Sequence, residues 1–182
     1  MYYEEKTMKS ERVYEGRILN LRVDTVELPN RKYSRREIVE HGSSVMIIPV
    51  LQDDSVLMVK QYRKAIDKVV LEFPAGLIES GEDPKEAALR ELQEEVGVAA
   101  KKIDYLYDFY TSPGFTNERI NVFIASDLYD SDLSCDEDEF LEIVKVKIED
   151  LIDMLHNYEI NDAKSIIAAQ YLENLRILEN VK

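Results

Sequence analysis

The sequence predicts an α/β layered fold with a mixed sheet, and three observations support this class. Segments that alternate between apolar and polar residues lie on both sides of one short helix, one segment is apolar on both faces, and the chain ends in helical patterns. With 182 residues and a hydrophobic share of 45%, the chain can bury the core of one compact domain with a small extension. We therefore predict an N-terminal β-ribbon over residues 1–42 and a main domain over residues 43–182.

The predicted N-terminal element is an antiparallel ribbon of two strands. Residues 19–24 alternate between apolar and polar side chains, and a second strand is predicted over 33–40, after a turn at Pro29 and Asn30. A two-stranded ribbon is only marginally stable alone, so it must lie on another surface. That surface is either the ribbon's own main domain or, by exchange, a partner subunit.

The main domain is predicted to contain six strands around one short helix and to end in two further helices. The first strand is apolar on both faces, which indicates a central position in the sheet. The strands are predicted over 45–51, 56–61 and 69–73 before the short helix, and over 103–109, 120–124 and 144–148 after it. The last helix is predicted from about 162 to 178.

The short helix has a clear start, a buried face and a clear end. Asp83 can cap it, with Pro84 at the first position and Glu86 at the third. Apolar residues then recur at the four-residue spacing of a buried face, and Gly97 follows as the terminating residue. The recurring residues are Ala88, Leu92 and Val96.

Three carboxylates on this helix predict a metal site. Glu91 and Glu95 stand one turn apart with Glu94 beside them. Two like charges about 4 Å apart repel by roughly 4 kcal/mol at an effective dielectric near 20, so the cluster is costly without a cation. Oxygen ligands of this kind suit Mg²⁺ or Mn²⁺ rather than Zn²⁺. The alternative in so acidic a chain is a solvated helix face.

The spacing of the residues in this stretch favours the metal site over the solvated face. The stretch has the form G-x5-E-x7-R-E-U-x-E-E-x-G-U, where U is aliphatic, and it matches the Nudix box at every fixed position. The chain thus resembles the Nudix hydrolases. The resemblance implies a Nudix α/β/α sandwich and Mg²⁺-dependent hydrolysis of a nucleoside diphosphate linked to another moiety. The matching residues are Gly76, Glu82, Arg90, Glu91, Leu92, Glu94, Glu95, Gly97 and Val98.

Residues outside the box resemble those of the ADP-ribose pyrophosphatases, whose products are AMP and ribose 5-phosphate. The marker is the segment Ser112-Pro113-Gly114-Phe115, in which Pro113 follows Gly97 by sixteen residues, with Glu118-Arg119 just beyond it. A Ser-Pro-Gly turn is common, so its spacing carries the inference. Four further segments agree with this resemblance: Arg35-Arg36-Glu37, Gln61-Tyr62-Arg63, Pro74-Ala75-Gly76 and Asp136-Glu137-Asp138-Glu139.

The resemblance implies roles for the residues of the catalytic centre. The carbonyl of Ala75 and the carboxylates of Glu91, Glu95 and Glu139 would bind Mg²⁺, or Mn²⁺ in its place. Glu94 would lie close to them, Arg90 would orient the glutamates, and Glu137 would be the general base. Residues 136–139 are consecutive acids, so a shift of one position would move the base. The alternative is a solvated acidic loop without a role.

The resemblance also implies substrate contacts and a homodimer. In the related enzymes the N-terminal strands are exchanged, so the ribbon from about residue 8 to 41 would lie across the partner and help to build its active site. An arginine stacked on adenine provides a flat contact and a positive charge, a role expected here for Arg36. The substrate-binding residues implied are Ile18, Arg36, Glu37, Arg63, Leu77, Ser112 and Glu118.

Composition restricts partners and location. The net charge of −14 opposes binding to nucleic acid or to an anionic membrane, and no segment predicts a signal peptide or membrane span. The single Cys135 cannot form an internal disulfide, which fits a reducing compartment, so a cytoplasmic protein is predicted. Other functions left open are hydrolysis of another nucleotide sugar, such as GDP-mannose, UDP-glucose or ADP-glucose, and a non-catalytic sensor.

Overall fold

The computed structural model describes residues 3–131 and 140–180 and has an α/β architecture with a mixed sheet. None of the helices in these residues is long and apolar enough to cross a bilayer. In chain order the elements are β1 Lys6–Glu15, β2 Leu19–Glu27, β3 Tyr33–His41, β4 Ser44–Pro49, β5 Ser55–Arg63, β6 Lys68–Glu72, β7 Ala75–Leu77, α1 Pro84–Val96, β8 Val98–Tyr110, β9 Arg119–Asp130, β10 Glu142–Lys147, α2 Ile148–His156 and α3 Ala163–Asn180.

The first of two compact units contains the residues up to 43 together with Asp108–Ile120. Its core element is an antiparallel sheet in the order β1-β2-β3, with Leu19 opposite His41 and Glu27 opposite Tyr33. The prediction of a two-stranded ribbon is wrong in strand number, because β1 is a third strand. All ten residues of β1 are exposed, so its sequence lacks the alternation by which a half-buried strand is recognised.

The segment that follows β8 also belongs to this first unit. Val39 of β3 donates its N–H to the carbonyl of Phe115 at 2.8 Å, and the N–H of His41 donates to the side chain of Asn117 at 2.9 Å. Val39 forms a parallel bridge with Thr116. These bonds extend the N-terminal sheet with the predicted substrate loop.

The second unit contains Ser44–Tyr107 together with the residues from Asn121 onward. It has two sheets, in the orders β10-β5-β6 and β7-β4-β9-β8. Every residue of β4 is buried, which confirms the predicted central strand. The helix α1 packs against β4 and β7, and the core between them includes Val45, Ile47, Leu92 and Phe123.

Several boundaries in this unit differ from the predictions, among them the start of β8 and the end of β10. β8 begins at Val98, directly after the helix, because Gly97 adopts the left-handed conformation with φ 68° and turns the chain at once into a strand. Ile148, predicted as the end of a strand, begins α2 instead. Its N–H donates to the carbonyl of Asp54 at 3.1 Å, so a contact distant in sequence sets this boundary.

Candidate active site

The helix α1 presents its carboxylates in a fixed orientation because both ends and one face are held. The Asp83 carboxylate accepts a hydrogen bond from the N–H of Lys85 at 2.9 Å, Pro84 is the first helical residue, and Gly97 forms the C-cap. Ala88 and Leu92 are fully buried, which confirms the predicted packing face. The box glutamates are therefore placed by core packing as well as by the helix itself.

Arg90 gathers three glutamates and one backbone carbonyl. Its Nε and Nη2 donate to Glu82 at 2.9 and 3.0 Å, and its Nη1 donates to Glu91 at 2.7 Å and Glu94 at 2.8 Å. Nη2 also donates to the carbonyl of Leu77 at 2.9 Å. One guanidinium thus joins the turn before the helix to the carboxylates on it.

These bonds also shift the pKa values of Arg90 and Glu82. Glu82, then Glu91 and Glu94, raise the pKa of Arg90 further above its already high value, despite partial burial. Conversely, hydrogen bonds from Arg90 and from the N–H of Glu79 lower the pKa of Glu82. Glu82 occupies a fixed box position for which no role was predicted, and its bonds to Arg90 show that it anchors this arginine.

The backbone of β7 contacts the two carboxylates predicted as metal ligands. The N–H of Ala75 donates to Oε2 of Glu95 at 2.8 Å. A Cβ on Gly76 would fall 2.0 Å from Cδ of Glu91, so only glycine leaves that carboxylate its place. Glu91 and Glu95 are 9% and 5% exposed. Both predicted ligands on α1 therefore lie against the backbone of residues 75 and 76.

The donor set fits a hard divalent cation, although the described part of the chain alone does not form a complete site. In residues 3–131 and 140–180, no three His, Cys, Asp or Glu side chains are arranged around a common metal position. The carboxylates of Glu91 and Glu95 are oxygen donors of the kind that Mg²⁺ and Mn²⁺ prefer, and a backbone carbonyl, the type of donor predicted at Ala75, is another. The predicted ligand Glu139 and the predicted base Glu137 lie outside the described residues.

Two of the predicted substrate residues, Arg63 and Leu77, belong to the same unit as the box, and each is hydrogen-bonded within the protein. Arg63 donates from Nε and Nη2 to the two oxygens of Glu72, at 2.8 and 2.9 Å. Leu77 is exposed at the end of β7, and its carbonyl accepts a hydrogen bond from Arg90. The predicted substrate arginine is thus already paired with a buried carboxylate.

The other predicted substrate residues lie in the first unit. Arg36 is bound by Glu5, with Nε to Oε2 at 2.8 Å and Nη2 to Oε1 at 2.5 Å. Glu5 raises the pKa of Arg36, and Arg36 lowers the pKa of Glu5. Glu37 and Ile18 are exposed. Glu5 was not predicted, because a charged residue near the N-terminus has no distinguishing pattern.

The predicted substrate loop is an ordered turn. The carbonyl of Ser112 accepts hydrogen bonds from the N–H groups of Phe115 and Thr116, at 3.1 and 3.0 Å. Glu118 accepts a bond from Oγ1 of Thr111 at 2.7 Å, and its other oxygen lies 3.7 Å from Nδ1 of His41. His41 is thus a neighbour of a predicted substrate residue.

Comparison with known proteins identifies the family. The model of the NUDIX domain matches residues 40–169, and the model of the nucleoside diphosphate sugar hydrolase N-terminal domain matches residues 5–39. The chain therefore belongs to the Nudix family, as its box predicts.

Individual relatives match over almost the whole chain. An ADP-ribose pyrophosphatase of Bacillus subtilis is 43% identical over 98% of both chains, and a methanol dehydrogenase activator of Bacillus methanolicus is 42% identical over 94% of both. A crystal structure of an ADP compounds hydrolase superimposes with a TM-score of 0.85 at 28% identity, and the match covers 97% of this chain and 96% of that one.

Proposed function

We propose that this enzyme hydrolyses the pyrophosphate of ADP-ribose to AMP and ribose 5-phosphate. The observation that carries the proposal is the intact box geometry, in which Arg90 gathers Glu82, Glu91 and Glu94. The 43% identity with an ADP-ribose pyrophosphatase over nearly all of both chains supports the choice of substrate. The matching N-terminal domain of nucleoside diphosphate sugar hydrolases supports the same substrate class.

Glu91, Glu95 and the carbonyl of Ala75 would hold Mg²⁺, with Glu139 as a further ligand. When bound, the cation lowers the charge on the pyrophosphate oxygens and makes water a better nucleophile. Arg90 holds Glu91 and Glu94 in place, and the fixed orientation of carboxylate ligands is what such a partner contributes to metal affinity. In this proposal Glu137 accepts the proton of the attacking water.

The proposed substrate contacts come from two parts of the chain. Arg36 and Glu37, with Ile18, would contact the adenosine from the N-terminal sheet of a partner subunit. Arg63, Leu77, Ser112 and Glu118 would contact the rest of the substrate. We also place the protein in the cytoplasm, with residues 1–42 and 43–182 as its N-terminal and catalytic domains.

The proposed homodimer rests on the exposed surface of the N-terminal sheet. All ten residues of β1 are exposed, and they include the apolar side chains of Met8, Val13 and Tyr14. Tyr33 of β3 is exposed as well. Apolar side chains exposed in this number on one small sheet are typical of a surface that another chain covers. A symmetric exchange would cover both copies at once.

A substrate panel tests the proposed activity. Purified enzyme with Mg²⁺ is incubated with ADP-ribose, GDP-mannose, ADP-glucose and a nucleoside triphosphate, and AMP and ribose 5-phosphate are quantified. We expect the highest kcat/KM for ADP-ribose, and the variant Glu95→Gln should lose most of this activity. A preference for GDP-mannose would overturn the substrate choice. Stimulation of methanol dehydrogenase without hydrolysis of ADP-ribose would overturn the enzymatic proposal and favour the role named for the Bacillus methanolicus relative.

A subunit-mixing experiment tests the exchanged dimer. Sedimentation should give twice the chain mass of 21.1 kDa. Subunits carrying Arg36→Ala and subunits carrying Glu95→Gln should regain activity when mixed, because each heterodimer would contain one undamaged composite site. The matched control mixes Glu91→Gln with Glu95→Gln subunits and should stay inactive, because every box is then damaged. A monomer with full activity would exclude the exchange.

A further inference from the structure

Residues at the start of α3 are bonded to the segment that precedes β7. Ser165, which is fully buried, accepts a hydrogen bond from the N–H of Phe73 at 3.0 Å. Its hydroxyl donates to Asp162 at 2.7 Å, and its own N–H donates to the same carboxylate oxygen at 3.0 Å. The first turn of α3 is therefore capped by Asp162 and tied to the backbone of Phe73 through one side chain.

Lys164 binds the residue just before Phe73. Its ammonium pairs with Glu72, and it also donates to Asp162 at 3.0 Å. The side chains of Glu72 and Lys164 are 3% and 12% exposed. Burial raises the pKa of Glu72, but the bonds and charges of Arg63 and Lys164 outweigh this effect and hold the pKa below its ordinary value. Charged groups so buried are stable only as a bonded set.

The segment that this network holds connects two sheets and leads directly to the box. β6 ends at Glu72 in one sheet and β7 begins at Ala75 in the other, so only Phe73 and Pro74 connect them. The carbonyl of Pro74 accepts from the N–H of Ile47 at 2.9 Å, and the N–H of Ala75 donates to Glu95 at 2.8 Å. A displacement of Glu72 or Phe73 is therefore transmitted to Ala75 within two or three residues.

We propose that Lys164 and Ser165 are positioning residues for the metal site: by fixing Glu72 and Phe73 they set where the Ala75 carbonyl lies relative to Glu91 and Glu95. The assignment of Ala75 as a ligand rests on the proposed function. Neither residue touches substrate or metal in this role. Because a ligand displaced by a fraction of an ångström binds a small cation poorly, loss of either side chain weakens metal binding before it unfolds the protein.

The test measures binding of Mn²⁺ alone to the full chain by calorimetry or electron paramagnetic resonance, without substrate. Lys164→Met keeps the stem of the side chain and removes its charge, and Ser165→Ala removes the hydroxyl. Each should weaken Mn²⁺ binding by about 10-fold, the lower end of the range for residues that orient ligands. Lys164→Arg should restore binding to within about threefold of wild type, because it returns a cation to Glu72.

The matched control is Arg176→Met, which removes another cation of α3 from an ion pair, here with Asp54 at the turn before β5. That pair has no bond to residues 72–75, so Mn²⁺ binding should stay within about twofold of wild type even if the melting temperature falls. The proposal is overturned if Lys164→Met binds Mn²⁺ as wild type does, or if Arg176→Met weakens binding equally. Should Ser165→Ala fail to fold, Lys164→Met decides alone.

The outcome is separable from the proposed activity. Wild-type protein that binds Mn²⁺ but does not hydrolyse ADP-ribose would overturn the proposed function, while the comparison among the α3 variants would still decide the positioning role. Wild-type protein that binds no Mn²⁺ would overturn the positioning proposal directly.

Discussion

Replacing Gly76 with alanine tests the placement of Glu91 more specifically than replacing the glutamate itself. A Cβ at this position would lie 2.0 Å from Cδ and 2.1 and 2.2 Å from the two oxygens of Glu91. Real Cβ atoms essentially never approach another heavy atom more closely than 3.0 Å, and ordinary contact begins at 3.4 Å. Since the added Cβ would lie 2.0 Å from Cδ, the carboxylate of Glu91 must move away by about 1.0 to 1.4 Å, the difference between 2.0 Å and these two limits. The atoms in the way are the end of a flexible side chain, so the fold can adapt.

The displacement is large relative to the bonds that it disturbs. Mg²⁺–oxygen bonds are about 2.1 Å long and tolerate little variation. Glu91 also accepts a bond from Arg90 at 2.7 Å, which the movement strains or breaks. A misplacement of about 1 Å in an active site can cost on the order of 100-fold in rate, equivalent to about 2.7 kcal/mol. We expect Gly76→Ala to lower kcat/KM for ADP-ribose by that order.

The assay combines initial rates, Mn²⁺ binding and thermal unfolding. The melting temperature should change by no more than about 2–4 °C, because the cost falls on the site and not on the core. Gly81→Ala is the control: Gly81 has φ 85°, where alanine costs about 1 kcal/mol, but no atom lies within 4 Å of the added Cβ. It should lose stability and keep its activity.

The double variant Gly76→Ala with Glu91→Ala separates displacement of the carboxylate from other effects. If the alanine acts only through Glu91, the double variant should be no less active than Glu91→Ala alone. Activity of Gly76→Ala within about threefold of wild type would refute the argument that Glu91 must occupy this place.

Three further predictions concern the ligands, the loop and the buried ion pair. Glu95→Gln should abolish most metal-dependent turnover with the fold intact by circular dichroism, because losing a ligand costs about 10-fold or more; activity within about threefold of wild type would contradict it. Glu137→Gln should lower kcat with little change in Mn²⁺ affinity, and if Glu139→Gln shows this pattern instead, the two roles exchange. The ion pairs of Glu72 lower its pKa in the folded protein. They therefore stabilise the fold fully at pH values above the unfolded-state pKa of about 4.3, and this stabilisation is lost as the pH falls through the lower pKa of the folded state. The difference in unfolding free energy between wild type and Glu72→Gln should therefore shrink over that acid range in urea titrations, and a pH-independent difference would refute the assignment.

The features that sequence predicted well are those determined within a few residues. The start of α1 at Pro84, its buried face and its end at Gly97 follow from capping and periodicity, and the structure confirms each. The central strand β4 follows from a run that is apolar on both faces. The family followed from the spacing of the box, because many constrained positions in one register seldom coincide by chance.

The features that sequence missed depend on contacts that are distant along the chain. β1 carries polar side chains on both faces, so no period marks it, and β7 is only three residues long. The partners of the predicted arginines were missed for the same reason: Glu5 is 31 positions from Arg36. Lys164 is 92 positions from Glu72, and no local pattern relates them.

Arg36, Arg63 and Arg90 are all paired with carboxylates. This pairing gives a second reason for the proposed metal requirement, which concerns binding of the substrate and not its hydrolysis. Arg36 is bound to Glu5, Arg63 to Glu72 and Arg90 to three glutamates, so each brings a compensating negative charge. The chain as a whole carries a net charge of −14. A pyrophosphate approaching such a protein meets a repulsive field, and exchanging an arginine–carboxylate bond for an arginine–phosphate bond gains little, because the released carboxylate must be solvated again. In the proposed function, divalent cations would therefore provide most of the positive charge that binds the substrate, and Arg36 and Arg63 would chiefly set its orientation.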